Sequence, residues 1–226
     1  MQLVMKKIFT LAVMMLAITI SYAQTKIGYG VKAGMNFASI TGDANTQLNN
    51  LLELSDGMVK TSGRTGYHVG AYLQVPLTEN LLLEPALLYS RKGYELEGNF
   101  DFKMLELLGI SARAELISQY IDLPLVLKAK LGKGFQVYAG PQVSYMLRSD
   151  LRARAGLLGI NLLNEKFDVS GSFNNWDAAL TAGLAYQFGN GVNVYAGYDH
   201  GLTRIDANRS VDARNKVFRV GMGVSF

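Results

Sequence analysis

The chain has 226 residues, with 22 Lys and Arg against 18 Asp and Glu, two His and no Cys. The lack of Cys removes disulfides, thiol catalysis and Cys-metal sites together, and the near balance of charge argues against a nucleic-acid partner. After residue 23 no apolar run is long enough for a transmembrane helix, so an embedded form must be a closed β-barrel.

The N-terminus carries Lys6 and Lys7, an apolar run over 8–20, and Ser21-Tyr22-Ala23 before Gln24. A short basic region, an apolar stretch of that length and small residues before the cut site describe a secretory signal peptide over 1–23. A membrane anchor needs about 20 apolar residues, more than this run supplies. Removal after Ala23 leaves 24–226 as one domain, whose 20 basic residues (Lys6 and Lys7 being lost) face 18 acids.

Eight segments in that domain alternate apolar and small or polar residues with the period of a β-strand: 27–39, 65–77, 81–95, 115–131, 135–149, 174–188, 192–204 and 216–226. Each has at least the 9–11 residues that a tilted strand needs to cross a bilayer. The connections sort into two kinds. Thr78-Glu79-Asn80, Gly132-Lys133-Gly134 and Gly189-Asn190-Gly191 are tight, rich in residues that suit hairpin turns. The four others, near 40–64, 96–114, 150–173 and 205–215, are long. Short turns at one end and long loops at the other predict an eight-stranded, antiparallel, up-and-down transmembrane β-barrel of the outer membrane, with turns and both termini in the periplasm.

The two faces agree with lipid outside. Aromatics collect at the strand ends, with Phe37, Tyr67, Tyr89, Tyr145, Trp176, Tyr198 and Phe218 toward the loops. Phe135, Phe188 and Phe226 mark the turn end, and aliphatic residues fill the band between. Tyr and Trp favour membrane interfaces, so two aromatic girdles mark a lipid-facing wall. The opposite face is Gly, Ser, Asn and Gln with a few charges, suited to the narrow interior of eight strands. The last strand, "KVFRVGMGVSF", ends in mid-pattern on Phe226. Pairing it with the first strand closes the barrel and removes the edges. Phe218 and Phe226 then form the closing-strand signal read by the outer-membrane assembly machinery.

The pieces "GYHVGAYLQVPLTENLLLEPALLYSRKG", "YIDLPLVLKAKLGKGFQVYAGPQVSYML", "GLAYQFGNGVNVYAGYDHGLT" and "NKVFRVGMGVSF" resemble the outer-membrane β-barrel domain of PorT-like proteins. The resemblance spans nearly all of 24–226 and implies an eight-stranded barrel of the OmpA or OmpX shape. It implies no activity, and it admits a surface or secretion-related protein partner.

Chemistry is sparse. His200 falls on the apolar face beside Asp199, but Gly201, Leu202 and Thr203 follow and no Ser comes at a matching strand spacing, so no nucleophile has a base in reach. His68 faces the lumen as a packed polar residue. No metal-ligand spacing, cofactor motif or catalytic set appears. Charges inside a narrow lumen need partners. Counting from the turns pairs Glu84 with Lys128 and Asp199 with Arg219 on neighbouring strands. Three loops carry Leu-rich runs at 51–55, 107–111 and 157–161, fit for a cap, extended strands or a partner surface. In "YMLRSDLRARAG", Arg148, Arg152 and Arg154 rise above Tyr145 at the level of lipopolysaccharide phosphates, which a guanidinium fork suits. Loop acids such as Glu165 and Asp168 compete for them. The expectation is a monomeric, non-catalytic outer-membrane barrel with a structural or surface-interaction role. A narrow channel and a lipid A-modifying enzyme stand as alternatives.

Overall fold

The computed structural model describes residues 27–41, 59–99, 111–157, 160–204 and 214–226, with side chains described outside 40–41, 59–64, 94–99, 111–114, 153–157, 160–165 and 172. The described strands are β1 (Gly28–Thr41), β2 (Val59–Pro76), β3 (Leu81–Asn99), β4 (Ser111–Lys130) and β5 (Phe135–Leu157). After them come β6 (Ile160–Asp168), a 3-10 turn (Ser170–Ser172), β7 (Trp176–Gln187), β8 (Val192–Gly201) and β9 (Arg214–Ser225). All pairings are antiparallel. Eight strands close into a ring in the order β1-β2-β3-β4-β5-β7-β8-β9, and β9 returns to β1 from Gly30↔Ser225 to Thr41↔Arg214. Closure leaves no exposed edge inside the bilayer, where an unpaired backbone amide would cost several kcal/mol.

The tight turns supply the backbone angles their residues permit. Gly132 and Gly134 both take φ 90° and Lys133 takes 45°, while Phe135 N donates to Gly132 O at 3.0 Å. Gly tolerates that left-handed region without a Cβ penalty.

The wall is inside-out relative to a water-soluble protein. Leu184, Met222 and Leu87 are more than half exposed, whereas Asn36, Ser90 and Asp122 are sealed from solvent. Large apolar side chains outward and polar ones inward match a hydrocarbon surround. Ring pairs mark both rims of the band. At the turn end these are Tyr29–Phe226 at 5.7 Å, Phe135–Tyr186 at 4.9 Å and Tyr186–Phe188 at 4.8 Å between centroids. At the other end they are Tyr145–Trp176 at 4.9 Å, Tyr67–Tyr89 at 6.2 Å and Phe37–Phe218 at 6.4 Å.

The inner face is small because rings lie on it. A Cβ on Gly183 would meet the Tyr138 hydroxyl at 2.5 Å, and one on Gly221 would meet the Tyr195 hydroxyl at 2.5 Å. Glycine there lets a tyrosine lie flat over its direct partner on the neighbouring strand inside a narrow barrel.

Two features differ from the alternation in the sequence. Segments within 96–114 and 150–173, read as loops, continue as strand: β3 reaches Asn99, β4 starts at Ser111, and β5 runs on to hairpin with β6. Beyond the outer aromatic row neither face must meet lipid, so backbone pairing continues without a period-two pattern. The Leu-rich run 51–55 lies outside the described residues, as do most of 107–111 and part of 157–161. The second difference is a register shift between β4 and β5 at Gln119/Tyr120, where Tyr120 pairs with Met146 and Gln119 with Arg148. Leu147 is the extra residue. Such a bulge reverses which parity faces out.

Candidate functional site

The lumen holds the densest chemistry. Lys128 Nζ lies 2.5 Å from Glu84 Oε2, Lys32 Nζ 3.0 Å from Oε1, and Gln74 Nε2 donates to Oε2 at 3.3 Å. One carboxylate thus serves two ammonium groups contributed by β1 and β4. The register sets Lys128 opposite Leu82 and Glu84 opposite Val126, so the two meet on a diagonal rather than level with each other. Arg219 and Asp199 are offset the same way, for Arg219 pairs with Gly197 and Asp199 with Val217. Counting from the turns misses this two-residue stagger because barrel strands overhang one another.

A second tier lies nearer the loops. Arg219 Nη2 donates to Asp122 Oδ2 at 2.6 Å, Lys92 Nζ donates to Asp122 Oδ1 at 3.2 Å, and Arg219 Nε lies 2.6 Å from Asp199 Oδ2. In the ring order β9 and β4 face each other, so the Arg219–Asp122 contact spans the barrel diameter. Lys92 also stands 4.4 Å from the Tyr120 ring centroid, as a cation over an aromatic face. Asp122, Lys92 and Lys32 were absent from the pairs read in the sequence. Their inward strand parity was the available signal, and which strand lies across the lumen was not.

His68 is bound into the same interior. Asn36 Nδ2 donates to the carbonyls of Tyr67 and Arg91, which leaves Asn36 Oδ1 to accept from His68 Nδ1 at 2.7 Å. His68 Nε2 also shares a hydrogen bond with the Tyr195 hydroxyl at 2.5 Å. This network assigns a proton to Nδ1. Across the lumen, Asn193 Nδ2 donates to Tyr72 OH at 2.9 Å. Among the described residues the lumen contains a cavity of about 40 Å³ bordered by Lys32, Glu84, Lys128, Tyr138, Asp199 and Arg219. That volume suits a few water molecules and no larger solute.

The rim carries the arginines. Past the bulge, Arg148 points out and Ser149 points in, the latter meeting Ser118 Oγ at 2.8 Å. Arg148 Nε donates to Asp150 Oδ1 at 2.8 Å and Nη2 lies 3.9 Å from Asp168, while Lys166 Nζ lies 3.1 Å from Asp150 Oδ2. These groups stand beyond the Tyr145–Trp176 row, outside the membrane band. Burial pushes the Asp150 carboxyl up, but hydrogen bonds from Arg148 and Lys166 outweigh it and hold it below the usual carboxylate range. Asp168 is also lowered, chiefly by the hydroxyl and backbone N–H of Ser170 at 2.6 and 3.0 Å. Arg152 is half-buried, set between Glu115 of β4 and Lys166 of β6. Arg154 is placed by backbone alone, opposite Arg113 and Asn164. The side chain of Glu165 lies outside the described set. Arg148 is held by Asp150 and Asp168 of its own chain.

On the closing strand, Phe218 pairs with Phe37 in register, and the Phe226 backbone N–H donates to Tyr29 O at 2.8 Å. His200 is exposed on the outer wall, its ring 6.3 Å from that of Tyr198, whereas Asp199 is buried in the lumen. The two do not face each other. Among the described residues no group of His, Asp and Glu is arranged to hold a metal.

A family model described as an outer membrane protein beta-barrel domain matches residues 22–207. No curated protein matches the chain. Among solved structures, Ail, the attachment invasion locus protein of Yersinia pestis, in complex with the heparin analogue sucrose octasulfate, is 11% identical with a TM-score of 0.47. That alignment covers 89% of this chain and 100% of that one. A major outer membrane protein from Thermus thermophilus is 13% identical at a TM-score of 0.49, with the same two coverages of 89% and 100%. Neisserial surface protein A is 14% identical at 0.43, again covering 89% and 100%.

Proposed function

The chain belongs to the outer membrane protein beta-barrel domain family, and on that premise we propose that it is a non-conducting, non-catalytic surface anchor. One observation carries this reading: the lumen is bridged across its diameter by Arg219 and Asp122, while β3, β4, β5 and β6 run on past the outer aromatic row as a sheet. A plugged barrel contributes position rather than passage, and a sheet standing clear of the bilayer offers a surface to a partner. The short turns and both termini lie in the periplasm and the sheet at the cell surface, following the usual sorting of turns and loops. Within the family, the quoted motifs support a PorT-like relationship. Residues 1–23 serve as a secretory signal peptide that is removed, Phe218 and Phe226 serve recognition by the assembly machinery, and the barrel is a monomer. Arg148, Arg152 and Arg154 contact lipopolysaccharide phosphate where their own acids leave them free to do so.

The test is photo-cross-linking in intact cells from Phe167 on β6, with Val69 on the lipid-facing wall as control. A discrete protein adduct from Phe167 alone is the expected result. Adducts to lipid from both positions, together with stable single-channel currents from purified protein in planar bilayers, would overturn the anchor reading in favour of a channel.

A further inference from the structure

On the outer wall of β8, β9 and β1, two cross-strand rows lie one above the other. In the lower row Tyr198, Phe218 and Phe37 are direct neighbours, part of the outer aromatic girdle. Two residues closer to the loops, the same strands set His200, Lys216 and Ser39 side by side. His200 and Ser39 are exposed and Lys216 is half-buried. Direct cross-strand partners hold their Cβ atoms about 5 Å apart, so the Lys216 ammonium stands between an imidazole on one side and a hydroxyl on the other, all three on the outside of the barrel.

The surroundings favour an anion there. β1, β2 and β9 contain no Asp or Glu, and the acids of β7 and β8, Asp177 and Asp199, are buried toward the lumen. Among the described residues, no carboxylate therefore shares the outer face of these five neighbouring strands with Lys216. Aromatic rings of this kind settle at the boundary between acyl chains and headgroups, which places the polar row at headgroup height. A compact, hydrated cation beside two further hydrogen-bonding groups suits phosphate oxygens.

We propose that Lys216, His200 and Ser39 form a binding site for the phosphate of an outer-leaflet lipid, across the barrel from Arg148. The site rests on the outer-membrane placement of the chain and is independent of the arginine ridge on β5.

Native mass spectrometry of the full-length folded protein, titrated with diphosphoryl lipid A, with its dephosphorylated form and with inorganic phosphate, tests it. Lys216→Gln with His200→Gln is expected to weaken binding of the diphosphoryl lipid about tenfold and to leave the dephosphorylated lipid unchanged. Lys216→Arg, which keeps the charge, is expected to bind within about twofold of the parent. Heat-shifted gel migration identifies folded barrels. Should the double variant not fold, His200→Gln alone carries the comparison, with about a threefold loss expected. Parental affinity in the folded Gln variants overturns the site, as does equal loss for both lipids. Inorganic phosphate bound as tightly as the lipid overturns the lipid assignment. Replacing Arg148, Arg152 and Arg154 by Gln separates the two readings. If that variant binds as the parent while the Lys216 variant does not, the ridge fails and this site stands.

Discussion

The interior and the rim of this barrel contain nearly the same ion pair in different surroundings. Arg219 and Asp122 meet at 2.6 Å with 7% and 0% of their side chains exposed, whereas Arg148 and Asp150 meet at 2.8 Å with 49% and 4% exposed. Distance alone would rank them as equals. Inside, each charge has lost its water, so a missing partner leaves a bare charge in a low-dielectric medium. At the rim Asp150 is buried too, but its partners Arg148 and Lys166 stay about half exposed, so solvent replaces the carboxylate for them when it is lost. Contact geometry says who meets whom, and burial says what the meeting is worth.

The largest effect expected of a single change is at Asp122, which serves both Lys92 and Arg219. Asp122→Ala should cost about 3–5 kcal/mol in the urea unfolding of the vesicle-embedded barrel, since two cations lose a buried partner. Lys92→Met combined with Asp122→Leu removes one charge of each sign and leaves Arg219 beside Asp199. It should recover a good part of that loss. An equal loss in both variants would show that the carboxylate acts through shape and not charge.

Next in size is Gly183→Val, which forces a side chain onto the Tyr138 hydroxyl. Overpacking of this kind costs about 1–3 kcal/mol. Adding Tyr138→Phe should relieve a part of it, because the hydroxyl is among the nearest obstacles. No relief would mean that the backbone of β8, whose Ala196 carbonyl also faces Gly183, sets the limit.

Asp150→Asn at the rim should cost less than about 1 kcal/mol. A penalty as large as that of Asp122→Ala would break the contrast between the two regions. The smallest expected effect is in acid. Asp150 and Asp168 titrate below the ordinary carboxylate value in the folded protein. Whatever stability they add is therefore complete above about pH 4 and is lost as pH falls through their lowered folded values. Comparing parent with the Asp150→Asn, Asp168→Asn variant should show unfolding midpoints that differ at pH 7 and converge near pH 2. Raised salt should shrink the pH 7 difference, as it does for exposed charges.

The period of two, the length of each run and the sorting of turns from loops were enough to read eight barrel strands and the side that meets lipid. They suffice because a strand's pleat forces alternate side chains to opposite faces, so environment is written locally into every segment. Register is not local. It follows from how far strands overhang when the sheet closes, from the bulge at Leu147 that turns Arg148 outward, and from the choice of β5 to fold back on β6 above the membrane. Only closure could set Asp122 of β4 against Arg219 of β9, 97 residues apart, because only closure makes those strands face each other. The same closure brought Ser39 beside Lys216, which no spacing along one strand could have revealed.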